Sequence, residues 1–242
     1  MLKAAVRGVL RVMGYDVVRY EHSAAQRLLG LMRPPIGAVI DIGANVGQFA
    51  RVATEHFPQA TLFCFEPLPS AFAALRIWAA GRAPDKTHLF NIALGDTNGR
   101  ALMHLHSDHE VSSSLLETTE VAEALYPLTR AQVPIQVDVS TLDEAMSPFL
   151  DAIDGNVLVK LDVQGFEDRV LRGATKTLAR TQSIVLEIGL DPLYRKQAEF
   201  EGLISILDRH GFRYAGNLDQ TYASDGHVVF VDAVFQRHMR PD

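Results

Sequence analysis

The stretch VIDIGANVGQFA, residues 39–50, changes character in its middle. An apolar run ends on Asp41, Gly43 and Gly47 bracket Asn45, and Val46, Phe49 and Ala50 then resume at helical spacing. That is the pattern of a strand, a tight turn and a helix. The same change recurs downstream. ATLFCFE (60–66) reads as a second strand that ends on Glu66 and turns at Pro67 and Pro69 into a helix carrying Phe72, Leu75 and Trp78. THLFNIAL (87–94) reads as a third strand, and RALMHLH (100–106) and VPIQVDVS (133–140) as further strands around an irregular middle. NVLVKLDV (156–163) is followed by a single helical stripe through Phe166, Val170, Leu171, Ala174 and Leu178. SIVLEIG (183–189), a helix through Phe200, Leu203, Ile204 and Leu207, and HVVFVDAVF (227–235) complete the series. Strands alternating with helices predict an α/β chain with a mostly parallel, doubly wound sheet and a β-rich tail.

Length and composition fit one such unit. The chain has 242 residues, and its 48% hydrophobic and 21% charged residues are ordinary for a globular protein. The formal charge of −6 disfavours a nucleic-acid partner, which draws on clustered Lys and Arg. Cys64 is the only cysteine, so no intramolecular disulfide and no thiolate metal cage can form. No apolar window reaches the roughly 18–20 residues of a membrane span, and a cytoplasmic setting is expected. The opening MLKAAVRGVLRVMGYDVVRY puts Val6, Val9, Leu10 and Met13 at helical spacing beside Lys3, Arg7 and Arg11. Such a helix packs on its own domain, or rests on an anionic membrane as a peripheral contact.

The turn itself narrows the ligand. In doubly wound sheets ligands sit beyond the carboxyl ends of the strands, where glycine lets them approach the backbone. The dinucleotide fingerprint is G-x-G-x-x-G, whereas Gly43, Asn45 and Gly47 run G-x-N-x-G, which disfavours NAD. Asp41 would repel a pyrophosphate but suits a cationic amino group, and Glu66 at the next strand tip suits the two hydroxyls of a ribose. The combination favours S-adenosylmethionine, with Asn91–Leu94, Ala93 among them, as neighbours of the adenine. The plainer reading is that Asp41 and Asn45 only shape the first helix.

Seven segments, in order, resemble the FkbM-type methyltransferases, a branch of the class I S-adenosylmethionine-dependent enzymes. They are VIDIGANVGQFA (39–50), FEPLPS (65–70), NIALGD (91–96), SSSL (112–115), STLDE (140–144), VKLDVQGFEDRVLRGA (159–174) and VLEIG (185–189). The resemblance implies a Rossmann-like class I methyltransferase fold. Its mostly parallel sheet has seven strands, the last antiparallel, and here extra β-strands and an N-terminal helix are added. Residues 1–36 read as a helical extension and 37–242 as one methyltransferase domain, in which the irregular segment 107–130 is a candidate lid or substrate loop or an ordinary insertion. The resemblance also implies methyl transfer to a hydroxyl of a sugar, glycolipid, polyketide or related secondary metabolite. Asp41, Gly43, Asn45, Gly47, Glu66, Pro67, Asn91, Ala93 and Asp162 are the implied cofactor residues.

Transfer of a methyl to oxygen needs a shaped pocket and a group to take the hydroxyl proton. Asp162 and Glu187 end adjacent strands and are candidates for that base. Lys160, two residues before Asp162, points to the same face. Its alternative role is a structural ion pair that fixes the loop DVQGFED. HLHSDHE (104–110) offers His104 and His109 as further candidate bases on a wet rim. It is also readable as a metal site or a solvated loop, although consecutive turn residues seldom converge on an ion. Whether a divalent metal assists is left open, and a homodimer is compatible with the sequence. Two other functions compete: an RNA ribose methyltransferase, against which the acidic balance speaks, and a catalytically inactive methyltransferase fold used for binding. The fourth core strand ends LDVQG, without the Pro-Pro-aromatic tetrad of base and amide N-methylation, which supports oxygen as nucleophile.

Overall fold

The computed structural model describes residues 35–82 and 84–237. The expected N-terminal helix lies outside them. Ten strands are present in the described residues: β1 Ile36–Ile42, β2 Thr61–Phe65, β3 Thr87–Phe90, β4 Ala93–Gly95, β5 Gly99–Leu105, β6 Val133–Thr141, β7 Asn156–Leu161, β8 Thr181–Gly189, β9 Phe212–Tyr222 and β10 Val228–Arg237. Seven α-helices accompany them: α1 Gln48–His56, α2 Pro69–Ala79, α3 Glu120–Leu125, α4 Leu142–Met146, α5 Glu167–Arg172, α6 Thr175–Arg180 and α7 Phe200–Arg209.

Seven strands form one sheet in the order β3-β2-β1-β7-β8-β10-β9. Its first five strands are parallel, and β10 runs antiparallel to both of its neighbours. The switch point therefore falls between β1 and β7, where a doubly wound sheet opens a crevice at its carboxyl edge. Alternation along β1 divides the two layers. Ala38, Ile40 and Ile42 enter the larger core with Leu171, Leu178, Leu203 and Leu207 of α5–α7, while Val39 packs with Ala50, Ala53 and Leu75 of α1 and α2. Each fully buried leucine contributes about 2 kcal/mol. Asp41 shares the face of Val39, so burial of this apolar strand carries a carboxylate in with it.

Three expectations change. The third strand is two: β3 stays in the large sheet and β4 pairs with β6 and β5 in a separate three-stranded sheet. Asn91 stands at the break, its amide donating to the backbone carbonyls of Glu66 (2.8 Å) and Pro67 (3.0 Å) rather than letting the ladder run on. The single helix after β7 is also two, α5 and α6, parted at Gly173. A Cβ there would come within 2.1 Å of the Gly95 carbonyl oxygen, and Asp143 caps the new start through the backbone N–H groups of Lys176 and Thr177. Finally, FRYAGNLDQTY (212–222) is a full strand, β9, which the sequence reading passes over. It is an edge strand and mostly exposed, so it lacks the apolar run that marks a buried one.

The excursion between β5 and β6 contains α3 and two 3-10 turns, Glu110–Ser112 and Pro127–Thr129. Backbone bridges tie it to the rest, His104 to Ser114 and Thr118 to Tyr194. Among the described residues no helix is long and apolar enough to cross a membrane.

Candidate active site

The turn after β1 has three residues in the left-handed region: Gly43 (φ 76°), Asn45 (φ 48°) and Gly47 (φ 90°). Gly43 and Ala44 donate their N–H groups to the carbonyl of Phe65, both at 3.0 Å, which draws the tip of β2 against the turn. Asn45 tolerates the left-handed conformation because its own Oδ1 accepts from Val46 N–H at 2.7 Å. Gly43 has a different reason from the one its sequence context suggests. A Cβ on it would stand 1.8 Å from the carbonyl oxygen of Asp162, so the missing side chain makes room for the end of β7. Gly47 makes room for Leu75 and Trp78 of α2, which a Cβ would meet at 3.0 and 3.3 Å.

Over this turn lies a cavity of about 580 Å³ whose wall includes Asp41, Gly43, Asn45, Glu66, Pro67 and Asp162. Further round, Ile92, Ala93 and Leu94 stand on one side and Glu110, Val111 and Ser113 on another. Asp41 is 1% exposed, and its Oδ2 has no hydrogen-bond partner among the described residues. Burial pushes its carboxyl up to about 7, against the pull of Lys160. Glu66 is 4% exposed, with Oε2 accepting from Asn45 N–H at 2.8 Å and Oε1 from Leu68 N–H at 2.7 Å. Burial pushes it up to about 7 as well, despite those two donors. An ionised carboxylate has about four acceptor positions, so each Glu66 oxygen keeps capacity for another donor.

At the tip of β7, Lys160 Nζ meets Asp162 Oδ2 at 2.7 Å, the ion pair foreseen as one of its two readings. Desolvation opposes the charge on Lys160, but Asp162, Glu187 and Asp41 together outweigh it and raise the pKa, so the ammonium is retained. Asp162 N–H donates to the Ile42 carbonyl at 3.0 Å, joining β7 to β1 at the crevice. Beyond it, Gln164 (φ 57°) holds Asp162 Oδ1 at 2.7 Å and Glu187 Oε1 at 2.6 Å through the same Nε2. Burial, then the charge of Asp162, raises the Glu187 pKa well above the usual carboxylate range. Glu167, in the first turn of α5, folds back to accept from Val163 and Gly165 N–H at 3.2 and 3.0 Å, and burial pushes it up to about 7.

The remaining candidates fall in different places. Asn91 and Gly47 brace the cavity from behind rather than lining it, and Glu187 stands behind Gln164. His104 uses its backbone to bridge Ser114. His109 directs Nδ1 to the Ser112 hydroxyl at 2.7 Å and stacks near Tyr126, and neither histidine lines the cavity. His106 is fully buried, which lowers its pKa and keeps the ring neutral. Among the described residues no group of three or more His, Cys, Asp or Glu side chains is arranged to hold a metal ion. Two participants, Gln164 as a bridge and Tyr194 behind it, were not singled out as site residues. Tyr194 sits in DPLYRKQ, between a strand and a helix, and nothing local points it toward β7.

The wall residues fit S-adenosylmethionine. Asp41 presents a buried acceptor that a cationic amino group would satisfy, and Glu66 has acceptor capacity for paired hydroxyls. Residues 41–214 match the family described as the methyltransferase FkbM domain. The 2-O-methyltransferase NoeI of Sinorhizobium fredii is 32% identical over 190 residues, covering 75% of this chain and 75% of that protein. The 31-O-demethyl-FK506 methyltransferase FkbM of Streptomyces tacrolimicus is 28% identical over 220 residues, covering 80% and 79%. A solved structure, methyltransferase FkbM from Methylobacillus flagellatus, superposes with a TM-score of 0.51 at 14% identity. It covers 86% of this chain and 45% of the longer one, and it bears on the fold alone. An acid-tipped crevice of this build and a family match across most of the described sheet lead to one conclusion: the chain belongs to the FkbM family and is an S-adenosylmethionine-dependent methyltransferase.

Proposed function

We propose that the enzyme methylates a hydroxyl oxygen of a small, uncharged acceptor such as a sugar, glycolipid, polyketide or related secondary metabolite. The observation that carries this reading is Asp162, a carboxylate on the cavity wall whose two oxygens are each fixed by a neighbour and which reaches the crevice from the strand beside the cofactor turn. The two relatives named above are both O-methyltransferases by name, which supports oxygen as the acceptor atom.

S-Adenosylmethionine, when bound, supplies an electrophilic sulfonium methyl. Asp41 would hold its amino group, Glu66 its ribose, and the backbone around Ala93 would flank its base. Asp162 keeps lone pairs after serving Lys160 and Gln164, so it can accept the acceptor's O–H and take that proton. Lys160 anchors the carboxylate and balances part of the charge gathered there by Asp41, Asp162 and Glu187. Glu110, Val111, Ser113 and Leu115 close the cavity on the side of the 107–130 excursion, which we assign as the acceptor loop of a single domain beginning near residue 37. An acidic wall repels phosphodiesters, so a neutral acceptor fits better than RNA.

The test is Asp162→Asn, assayed by S-adenosylhomocysteine release on a panel of neutral methyl glycosides and macrolide alcohols. Turnover is expected to fall by about 10² to 10⁴-fold, the usual contribution of a positioned base, with cofactor affinity by calorimetry changed less than about threefold. Turnover near that of the wild type overturns the assignment.

A further inference from the structure

Gln164 and Tyr194 form a connected arrangement of which the chemistry above uses only the bond from Gln164 to Asp162. The amide of Gln164 is fully engaged: Nε2 donates to Asp162 (2.7 Å) and Glu187 (2.6 Å), and Oε1 accepts from the Tyr194 hydroxyl at 2.7 Å. Its backbone carbonyl accepts from Ser114 Oγ at 2.7 Å. The two carboxylates fix which way the amide faces, because its NH₂ must point at them. That leaves its oxygen in a partly buried place, and among the described residues the donor it finds is Tyr194.

Tyr194 is well placed for the task. It is 6% exposed and packs with Ala122, Leu193 and Val229, and its N–H is held by Gln197 Oε1 at 2.9 Å. Burial, then the charge of Glu187, keeps the phenol protonated and therefore a donor. The same hydroxyl lies 2.9 Å from the carbonyl of Ser112, so its single proton is shared between that carbonyl and the nearer Gln164 Oε1, and Ser113 and Leu115 line the cavity. One phenol thus touches both the support of Asp162 and the segment that forms the acceptor side of the wall. The left-handed backbone of Gln164 adds to the argument, since a non-glycine residue there is held by its surroundings.

We infer that Gln164 and Tyr194 are positioning residues for methyl transfer: Gln164 aims the Asp162 carboxylate, and Tyr194 holds that amide in register with the 112–115 segment of the acceptor wall. The inference rests on Asp162 acting at the acceptor hydroxyl. Neither residue touches the reacting atoms in this reading. An unpaired amide oxygen left by Tyr194→Phe is expected to loosen the aim of Asp162 while the cofactor end of the cavity, built on β1 and β2, stays as it is.

The experiment compares Tyr194→Phe, Gln164→Ala and the double variant with the wild type, on whichever of methyl glucopyranoside, methyl galactopyranoside and methyl rhamnopyranoside the wild type turns over fastest. Crystal structures of the variants accompany the kinetics. Tyr194→Phe is expected to lower kcat by about 10-fold, in line with a lost buried hydrogen bond, with cofactor Kd unchanged within about twofold. Gln164→Ala is expected to lower kcat further, and adding Tyr194→Phe to it should cost no more than about twofold, because both act through one amide. In the Tyr194→Phe crystal, Asp162 or the Gln164 amide should leave its place. The inference is overturned if Tyr194→Phe keeps kcat within twofold, if the two losses multiply in the double variant, or if Asp162 and Gln164 stay put in the crystal. Should Asp162→Asn lose its activity while Tyr194→Phe and Gln164→Ala keep kcat within twofold of the wild type, only the positioning roles fall. Should Asp162→Asn itself be fully active, the base assignment falls with them.

Discussion

The two ends of the large sheet each carry a hollow of similar size. The one at the carboxyl edge measures about 580 Å³, and the one at the amino edge, walled by Phe63, His88 and Phe149, about 660 Å³. Each also lies beside a glycine, Gly43 just after β1 and Gly37 within it, whose missing side chain makes room for a neighbouring carbonyl. A Cβ on Gly43 would stand 1.8 Å from the oxygen of Asp162, and one on Gly37 would stand 1.6 Å from that of Asp154. Neither volume nor glycine, then, distinguishes a site from a gap. What differs is where the charges lie. At the carboxyl edge Asp41, Glu66 and Lys160 are buried, and Asp41 has an acceptor atom without a partner among the described residues. At the amino edge the carboxylates, Asp85 and Asp154, are exposed and the interior is aromatic, with His88 stacked on Phe63 at 4.9 Å. Burying unpaired charge is costly, so its concentration at one end marks the end that a ligand completes.

The largest effects should show the two ends behaving alike. Gly43→Ala and Gly37→Ala each force a Cβ into backbone, and each should destabilise the fold by more than about 3 kcal/mol, within the range of severe strain and overpacking. Chemical denaturation measures this. If Gly43→Ala folds normally and only weakens cofactor binding, that glycine serves the ligand after all.

Asp41→Asn should separate the ends. In the proposed binding mode it removes a charged acceptor from the cofactor's amino group, and it is expected to weaken S-adenosylmethionine binding by about 10 to 100-fold, the range of a hydrogen bond to a charged group. The same change has a signature in pH. Asp41, Glu66 and Glu167 are all pushed up to about 7 by burial. Between their ordinary values near 4 and 7 the folded chain therefore holds protons that the unfolded chain has released. Stability of the cofactor-free enzyme is present at the acid end of that window and lost as pH rises through about 7. Thermal midpoints across pH 5 to 8 should fall with rising pH, and less steeply in Asp41→Asn. Cofactor binding at pH 6 should release protons, seen as a binding heat that depends on the buffer's ionisation enthalpy. A heat that is the same in every buffer would contradict an Asp41 that is protonated until the amino group arrives.

The smallest effect belongs to the amino edge. His88→Ala removes a stacking partner of Phe63 and Phe149 and should lower the thermal midpoint by a few degrees, about 1 kcal/mol for an aromatic contact, with kcat and cofactor Kd unchanged within twofold. A larger loss of activity would make that hollow a second functional place.

Much of the carboxyl edge was legible in the sequence, and for a physical reason. Asp41 and Glu66 each stand at the end of a mostly apolar run, and Asp162 ends another in which Lys160 is its charged partner; an acid at the end of a buried strand is costly enough to stand out. The fold was legible wherever burial on both faces writes a continuous apolar run into the chain, as in β1, β2, β7 and β8. It was not legible in β9, where an edge strand faces water, nor at the break between α5 and α6, where the cause is the distant Gly95 carbonyl. The bridge from Tyr194 to Gln164 joins segments that only the folded sheet brings together. Gly43 was noticed but explained by a ligand, because the approach of β7 is a tertiary event.

The register of the small sheet has a consequence for how this enzyme tolerates change. β5 and β6 pair antiparallel, with Leu105 opposite Val133, so the excursion between them leaves and returns at adjacent points. Residues can be added or removed there without shifting a single pairing in the seven-stranded sheet, provided the bonds of Ser112 and Ser114 to Tyr194 and Gln164 are kept. Exchange of residues 106–132, with Ser112 and Ser114 kept for Tyr194 and Gln164, is consequently the graft that would test whether this excursion sets the acceptor while the tips of β1 and β2 stay as they are.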